Sequence, residues 1–263
     1  KMPISKKAPP DNRPAPAPSV KSEEKKQPSV AALPAEHSPP KPGAKESDKI
    51  AYVEPIPEKI TPPVKPEPAP TMAQVAIVID DFGQDLGVAK KFLNIPLAIT
   101  YSILPFQAHS EEIMRMAAGH GHEVILHLPM EPIEYPRINP GRGALLVAMS
   151  ENKIQQTLKT ALDAYPNISG VNNHMGSKFT KQSDAMKVVL TELKHRGLYF
   201  LDSFTTEQSV GYTVARKLNI PTRRRDIFLD HENTETFVRA QIKQLIRKAK
   251  LQGSAMAIGH PYE

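Results

Sequence analysis

The chain has 263 residues, a formal charge of +6, 27 prolines, no cysteine and no tryptophan. Without cysteine there are no disulfides, thiolate nucleophiles or thiolate metal ligands. No apolar run reaches the roughly 18 residues of a membrane-spanning helix, and no helix-turn-helix, RNA-binding aromatic or zinc-finger pattern accompanies the basic excess, so neither a transmembrane span nor a nucleic-acid partner is expected.

Eighteen of the 27 prolines precede Met72, in stretches such as "KKAPPDNRPAPAP" and "PEPAPTMAQ" that hold few large apolar residues. Such a segment cannot bury enough surface to offset its ordering entropy, so residues 1–72 are expected to be a disordered Pro/Lys-rich linker. Its interspersed Lys and Glu suit a soluble spacer, although a basic tail can also touch anionic polymers. Because the chain opens at Lys1, a signal peptide or membrane anchor is expected upstream. About 190 residues remain from Ala73 onward, enough for one packed domain.

In that part, "VAIVID" (75–80) reads as a buried strand. Leu86, Ala89 and Leu93 follow at helical spacing, then a strand in "PLAITYSILP", a helix in "SEEIMRMAAGHG" and a third apolar run in "EVILHLPM". Beyond the loop "YPRINPGRG", Ile154, Leu158, Ala161, Leu162 and Tyr165 trace a helical face, and "SGVNNHMG" is a short strand with a polar end. Met186, Val189, Leu190 and Leu193 mark a helix closed by Gly197, and "LYFLDS" the next strand. The rest reads as helix in "VGYTVARKLN", strand and turn in "IPTRRRDIFLD", a long helix carrying Val238, Ile242, Leu245 and Ala249, and a last strand in "SAMAIGH".

Strands apolar on both faces and alternating with helices predict a parallel sheet or barrel covered by helices. Ligands of such folds sit at the carboxyl ends of the strands. Asp80, Asp81, His127, Glu131, His174, Asp202 and His260 all fall there.

Adjacent carboxylates such as Asp80 and Asp81 repel, so one stays protonated unless a cation sits beside them. A divalent metal meets that need, with one carboxylate binding it and the other free to act as a base. Imidazoles complete such sites, and His127, His174 and His260 are the candidates. Singly, each His also reads as a structural hydrogen-bonding residue, and the Asp pair as a cap for the following helix. "TRRRD" (222–226) reads either as a solvated turn or as a cationic site for an anionic substrate group.

In order along the chain, "IVIDDFG", "GHEVILHLPMEP", "NNHMGSKFT", "LDS" and "IGHP" resemble the divergent polysaccharide deacetylase family, a branch of the carbohydrate esterase superfamily. The resemblance spans residues 73–263. It implies an exported periplasmic or cell-envelope protein with an α/β fold, a distorted (β/α) barrel of parallel strands and surrounding helices, ending one helix and strand short. It further implies a zinc-type metal held by Asp81 and His127, Asp80 as catalytic base, His260 as general acid and Asp202 tuning one of them. Glu131 stands where the family's second ligand His would be, and His174 is expected to supply that imidazole. Glu131, Asn173 and Arg142 are expected to meet the substrate. The activity implied is removal of N-acetyl groups from an envelope polysaccharide, or cleavage of a related amide or ester. The alternative is an envelope protein that binds glycan or a partner through the same pocket without turnover.

Overall fold

A computed structural model describes residues 72–262, so the expected linker, Met72 apart, lies outside the described residues. In chain order the elements are β1 (Gln74–Phe82), α1 (Leu86–Leu93), β2 (Thr100–Ile103), α2 (Ser110–Gly119), β3 (Glu123–Met130), α3 (Glu151–Ala164), β4 (Gly170–Met175), α4 (Ser183–His195), β5 (Tyr199–Asp202), α5 (Gly211–Lys217), β6 (Thr222–Arg224), β7 (Ile227–Phe228), α6 (Glu235–Gln252) and β8 (Ser254–Gly259). All strand pairs are parallel, in the order β6-β5-β4-β3-β2-β1-β8-β7.

The barrel follows from that order. β6 and β7 lie at opposite ends of the sheet, yet only Arg225 and Asp226 separate them in the chain. Two residues span at most roughly 10 Å, so the sheet curls until its edges meet. The segment read as one strand and a turn is thus two short strands flanking the seam, and β8 is not an edge but sits between β1 and β7.

Alternation within each strand sorts residues into two layers. Val78, Ile125, Met256 and Ile258 pack inside the barrel with Tyr199 and Leu201. Ile79, Leu126, Leu128, Val171 and Phe200 face outward into a larger core shared with the helices, including Ile154, Leu158, Val189 and Leu193. Gly170 faces the barrel interior beside Ile125 and Tyr199, where a Cβ would run into the Tyr199 ring. α1, α3 and α6 are capped by Asp85, Ser150 and Thr234, whose side chains accept from the backbone N–H groups of Val88, Lys153 and Phe237. The cap of α1 is therefore Asp85, which leaves the Asp80–Asp81 pair for another purpose.

Side chains complete the seam. Arg223 donates to Ser254 Oγ at 2.8 Å and to its carbonyl at 2.9 Å. Asp226 Oδ2 accepts from Met256 N–H at 2.9 Å, while its other oxygen pairs with Lys248 at 2.9 Å. Burial raises the Asp226 carboxyl, but Lys248, the Met256 amide and Arg223 together hold it below its ordinary value. A depressed folded-state pKa gives stability that is present above the unfolded value near 4 and lost as pH falls through the folded one. Asp226→Asn is expected to cost about 1–2 kcal/mol at neutral pH and to flatten the acid limb of stability. Urea titrations at pH 7 and pH 3 check both effects.

Candidate active site

The first problem the chain solves is presenting two neighbouring carboxylates to one place. Along β1, Ile79 pairs with Tyr101 and Phe82 with Ile103, so β1 spends one more residue than β2 over the same step. That bulge holds Asp80 and Asp81. Asp81 adopts φ 61°, and Gly83 follows at φ 138°. A Cβ on Gly83 would stand 3.1 Å from Gln107 Cβ, the Leu104 carbonyl and Ser110 Oγ, so glycine is required both by conformation and by space. Asp80 keeps the inward direction that alternation gives it and is buried, whereas Asp81 is turned back toward the same cleft.

Asp81 near the end of β1, His127 on the inward face of β3 and His174 near the end of β4 form a possible metal-binding triad. Asp81 Oδ1 lies 3.2 Å from His127 Nε2 and 2.9 Å from His174 Nδ1, and the two nitrogens are 3.1 Å apart. A tetrahedral ion with bonds of about 2.0–2.1 Å holds its ligand atoms about 3.3 Å apart, close to this triangle. Asp81 Oδ1 is also buried without a properly directed hydrogen bond. Three converging atoms with an unsatisfied oxygen among them fit a divalent cation, and the N,N,O donor set suits zinc.

Electrostatics point the same way. Burial alone would raise the Asp81 carboxyl, but His127 and His174 hold it far below the usual carboxylate range. Burial alone would lower His127, but Asp80 and Asp81, with Asn172, push it up to about 9. The carboxylate pair therefore draws positive charge into this spot, in the form of a proton or a metal ion.

A buried polar network orients the pieces. Ser102 Oγ donates to Asn172 Oδ1 at 2.7 Å, and Asn172 Nδ2 donates to Asp80 Oδ1 at 2.7 Å. His127 Nδ1 lies 2.8 Å from Asn172 Oδ1, an oxygen that can only accept, so Nδ1 carries the proton and Nε2 faces Asp81. One amide thus fixes both a carboxylate and an imidazole. Across the cleft, His260 Nδ1 lies 3.2 Å from both Asp230 oxygens, its backbone N–H also donates to Asp230, and its Nε2 is 3.8 Å from Asp81 Oδ2. Burial lowers His260, but Asp230 and the more distant Asp81 and Asp80 outweigh that and raise it.

Asn172 and Asp230 escape the sequence reading, which singles out Asn173. Strand parity was the available signal for the first, since an inward His174 requires an inward Asn172, and His127 and Asn172 are register partners. Asn172→Ala is expected to weaken zinc binding or turnover 10–100-fold, as loss of an outer partner of a ligating His does. Chelator competition reads the affinity; unchanged affinity together with unchanged turnover would remove the positioning role.

The other expected residues have different partners. Asp202 accepts from Ser209 Oγ and from the backbone N–H groups of Phe204 and Tyr212, and its contacts hold the turn after β5. The acid that reaches His260 is Asp230. Asn173 Oδ1 accepts from Ser203 N–H and its Nδ2 donates to the Met175 carbonyl. Glu131 receives Lys178 Nζ at 2.6 Å and Val147 N–H at 2.5 Å, which pins the loop after β3. Arg142 donates to the Phe106 carbonyl at 3.4 Å with its guanidinium 5.5 Å over that ring.

Two cavities meet at Asp81 and His174. One, of about 420 Å³, is walled by Asp80, His127 and His260, by Phe204, Phe228 and Met175, and by Arg225. The other, of about 440 Å³, runs past Gln84, Gln107 and the Asn139–Gly141 turn. Asn173 touches the first cavity; Glu131 and Arg142 line neither.

The chain is 36% identical over 195 residues to the uncharacterized protein YibQ of Escherichia coli, covering 74% of this chain and 60% of that one. It is 34% identical over 189 residues to an uncharacterized Haemophilus influenzae protein, covering 72% and 67% respectively. It therefore spans about three fifths to two thirds of the length of these relatives. The crystal structure of the uncharacterized protein ATU2773 from Agrobacterium tumefaciens superimposes with a TM-score of 0.71 at 28% identity, over 75% of this chain and 81% of that one. The model of the divergent polysaccharide deacetylase family matches residues 77–263, the same span that carries the bulged Asp pair and the strand-end imidazoles, and the chain belongs to that family.

Proposed function

We propose that the cleft is the active site of a zinc-dependent amide hydrolase that removes N-acetyl groups from amino sugars of an envelope polysaccharide. The observation that carries the reading is the triangle of Asp81, His127 and His174 with Asp80 on one side and His260 on the other. When bound by those three residues, a divalent ion supplies Lewis acidity, polarising the amide carbonyl and acidifying water. Asp80, fixed by Asn172, accepts a proton from the attacking water. His260, fixed through Nδ1 by Asp230, presents Nε2 to the cleft and delivers a proton to the leaving nitrogen as its bond to carbon breaks. The products are the amine and acetic acid, which at neutral pH exchange a proton to become ammonium and acetate, and the proton gained by Asp80 balances the one given up by His260.

Periplasmic or envelope placement is part of this proposal and rests on the family and on the Pro/Lys-rich N-terminal segment. Acetate release from N-acetylated glycan oligomers by zinc-loaded full-length protein tests the whole reading. Release that stops on chelation and returns with zinc is expected. A metal-loaded protein that releases acetate from no envelope glycan and cleaves no related amide would leave a glycan- or partner-binding cleft in its place.

A further inference from the structure

The three consecutive arginines that open the seam have three different fates. Arg223 is spent on Ser254 and Asp226, and Arg224 lies 4.3 Å over the Phe204 ring. Arg225 turns into the cavity that holds Asp80, His127 and His260. Its guanidinium is held rigidly: Nε donates to the Ser203 carbonyl at 2.7 Å, Nη2 donates to the Phe204 carbonyl at 3.0 Å, and its plane rests 4.7 Å from the centre of the Phe228 ring.

Among the described residues Arg225 forms no ion pair, and its Nη1 makes no hydrogen bond. The carboxylates whose fields it feels are committed elsewhere: Asp80 to Asn172, Asp202 to the turn after β5, and Asp230 to His260. Placing a guanidinium half out of water with no carboxylate paired to it is costly, and burial lowers its pKa, an effect that Asp80, Asp202 and Asp230 only partly offset. A preorganised cation with a free N–H edge on a cavity wall is the arrangement that recognises an anion. Nearby Asp80, Asp202 and Asp230 favour a single negative charge over the double charge of a phosphate.

We propose that Arg225 binds a carboxylate carried by the substrate, so that the cleft selects an acidic N-acetylated glycan over a neutral one. The inference rests on the reading of this cleft as a glycan site. The carboxylate has two chemical sources: an ether-linked lactyl group on the acetamido sugar itself, or a uronic acid next to it.

Calorimetric titration of the zinc-loaded full chain with three oligosaccharides of equal length, one neutral and one of each acidic kind, tests the proposal and separates the sources. At least one acidic oligomer is expected to bind roughly tenfold or more tightly than the neutral one, with the advantage shrinking as salt rises. Arg225→Gln is expected to erase the advantage at unchanged zinc content, and Arg225→Lys to keep part of it. Equal binding of acidic and neutral oligomers by the unaltered protein overturns the proposal without needing any variant, as does discrimination that survives in Arg225→Gln. Failure to bind any of the three overturns it together with the glycan reading. Selective binding without acetate release leaves Arg225 in place and removes only the hydrolase; acetate release with no preference in binding does the reverse.

Discussion

Asp80→Asn is expected to keep zinc bound while turnover falls by roughly 10²–10⁴-fold. Asparagine preserves shape, and its amide oxygen can go on accepting the Asn172 hydrogen bond that now reaches Asp80 Oδ1 at 2.7 Å. What it loses is the capacity to take a proton at neutral pH. Asp80 stands outside the tight triangle, since its nearest approach to His127 Nε2 is 3.6 Å against 3.2 Å for Asp81. Single-turnover rates and zinc content on the same preparation separate the two effects. Simultaneous loss of metal and rate would make Asp80 a ligand, and a rate within a few-fold of the unaltered protein would end its assignment as base.

Asp81→Asn is expected to do the opposite, lowering zinc affinity by roughly 10²-fold or more, beyond what loss of an outer partner costs. The carboxylate is the one anionic member of the triad, and its Oδ1 touches both imidazole nitrogens. An amide oxygen in its place leaves the site without the charge that draws a cation to it. Asp85→Asn is the matched control. Its side chain caps α1, a task asparagine performs equally well, so its zinc affinity should match that of the unaltered protein.

Asp80, Asp81, His127 and His260 were legible in the sequence because each comes at or after an apolar run long enough to be a buried strand, and His174 because it lies in the polar end of the short strand "SGVNNHMG". The helices were legible from the spacing of their apolar residues and, for α4, from the closing Gly197, whereas the N-caps Asp85, Ser150 and Thr234 were not singled out. The seam was not. β6 and β7 are three and two residues long, too short for any periodicity, and their separation to opposite ends of the sheet is decided by partners far along the chain. Asp230 and Arg225 owe their places to that seam, which is why "LDS" drew attention to Asp202, a residue whose carboxylate holds a turn. Asn172 was hidden differently. Polarity alone does not choose between Asn172 and Asn173, whereas the period-2 alternation anchored on His174 does. Asp81 shows the limit of that alternation, because a one-residue bulge and a positive φ bring it to the same cleft as Asp80.

The central claim is that β1, β3 and β4 together build one metal centre, and an anomalous difference map at the zinc absorption edge from zinc-loaded crystals addresses it directly. A single dominant peak is predicted about 2.0–2.1 Å from Asp81 Oδ1, His127 Nε2 and His174 Nδ1, with Asp80 and His260 flanking it unligated. Stoichiometric zinc with its peak on other residues, or no peak while Asp81, His127 and His174 stay bonded to one another, would contradict it.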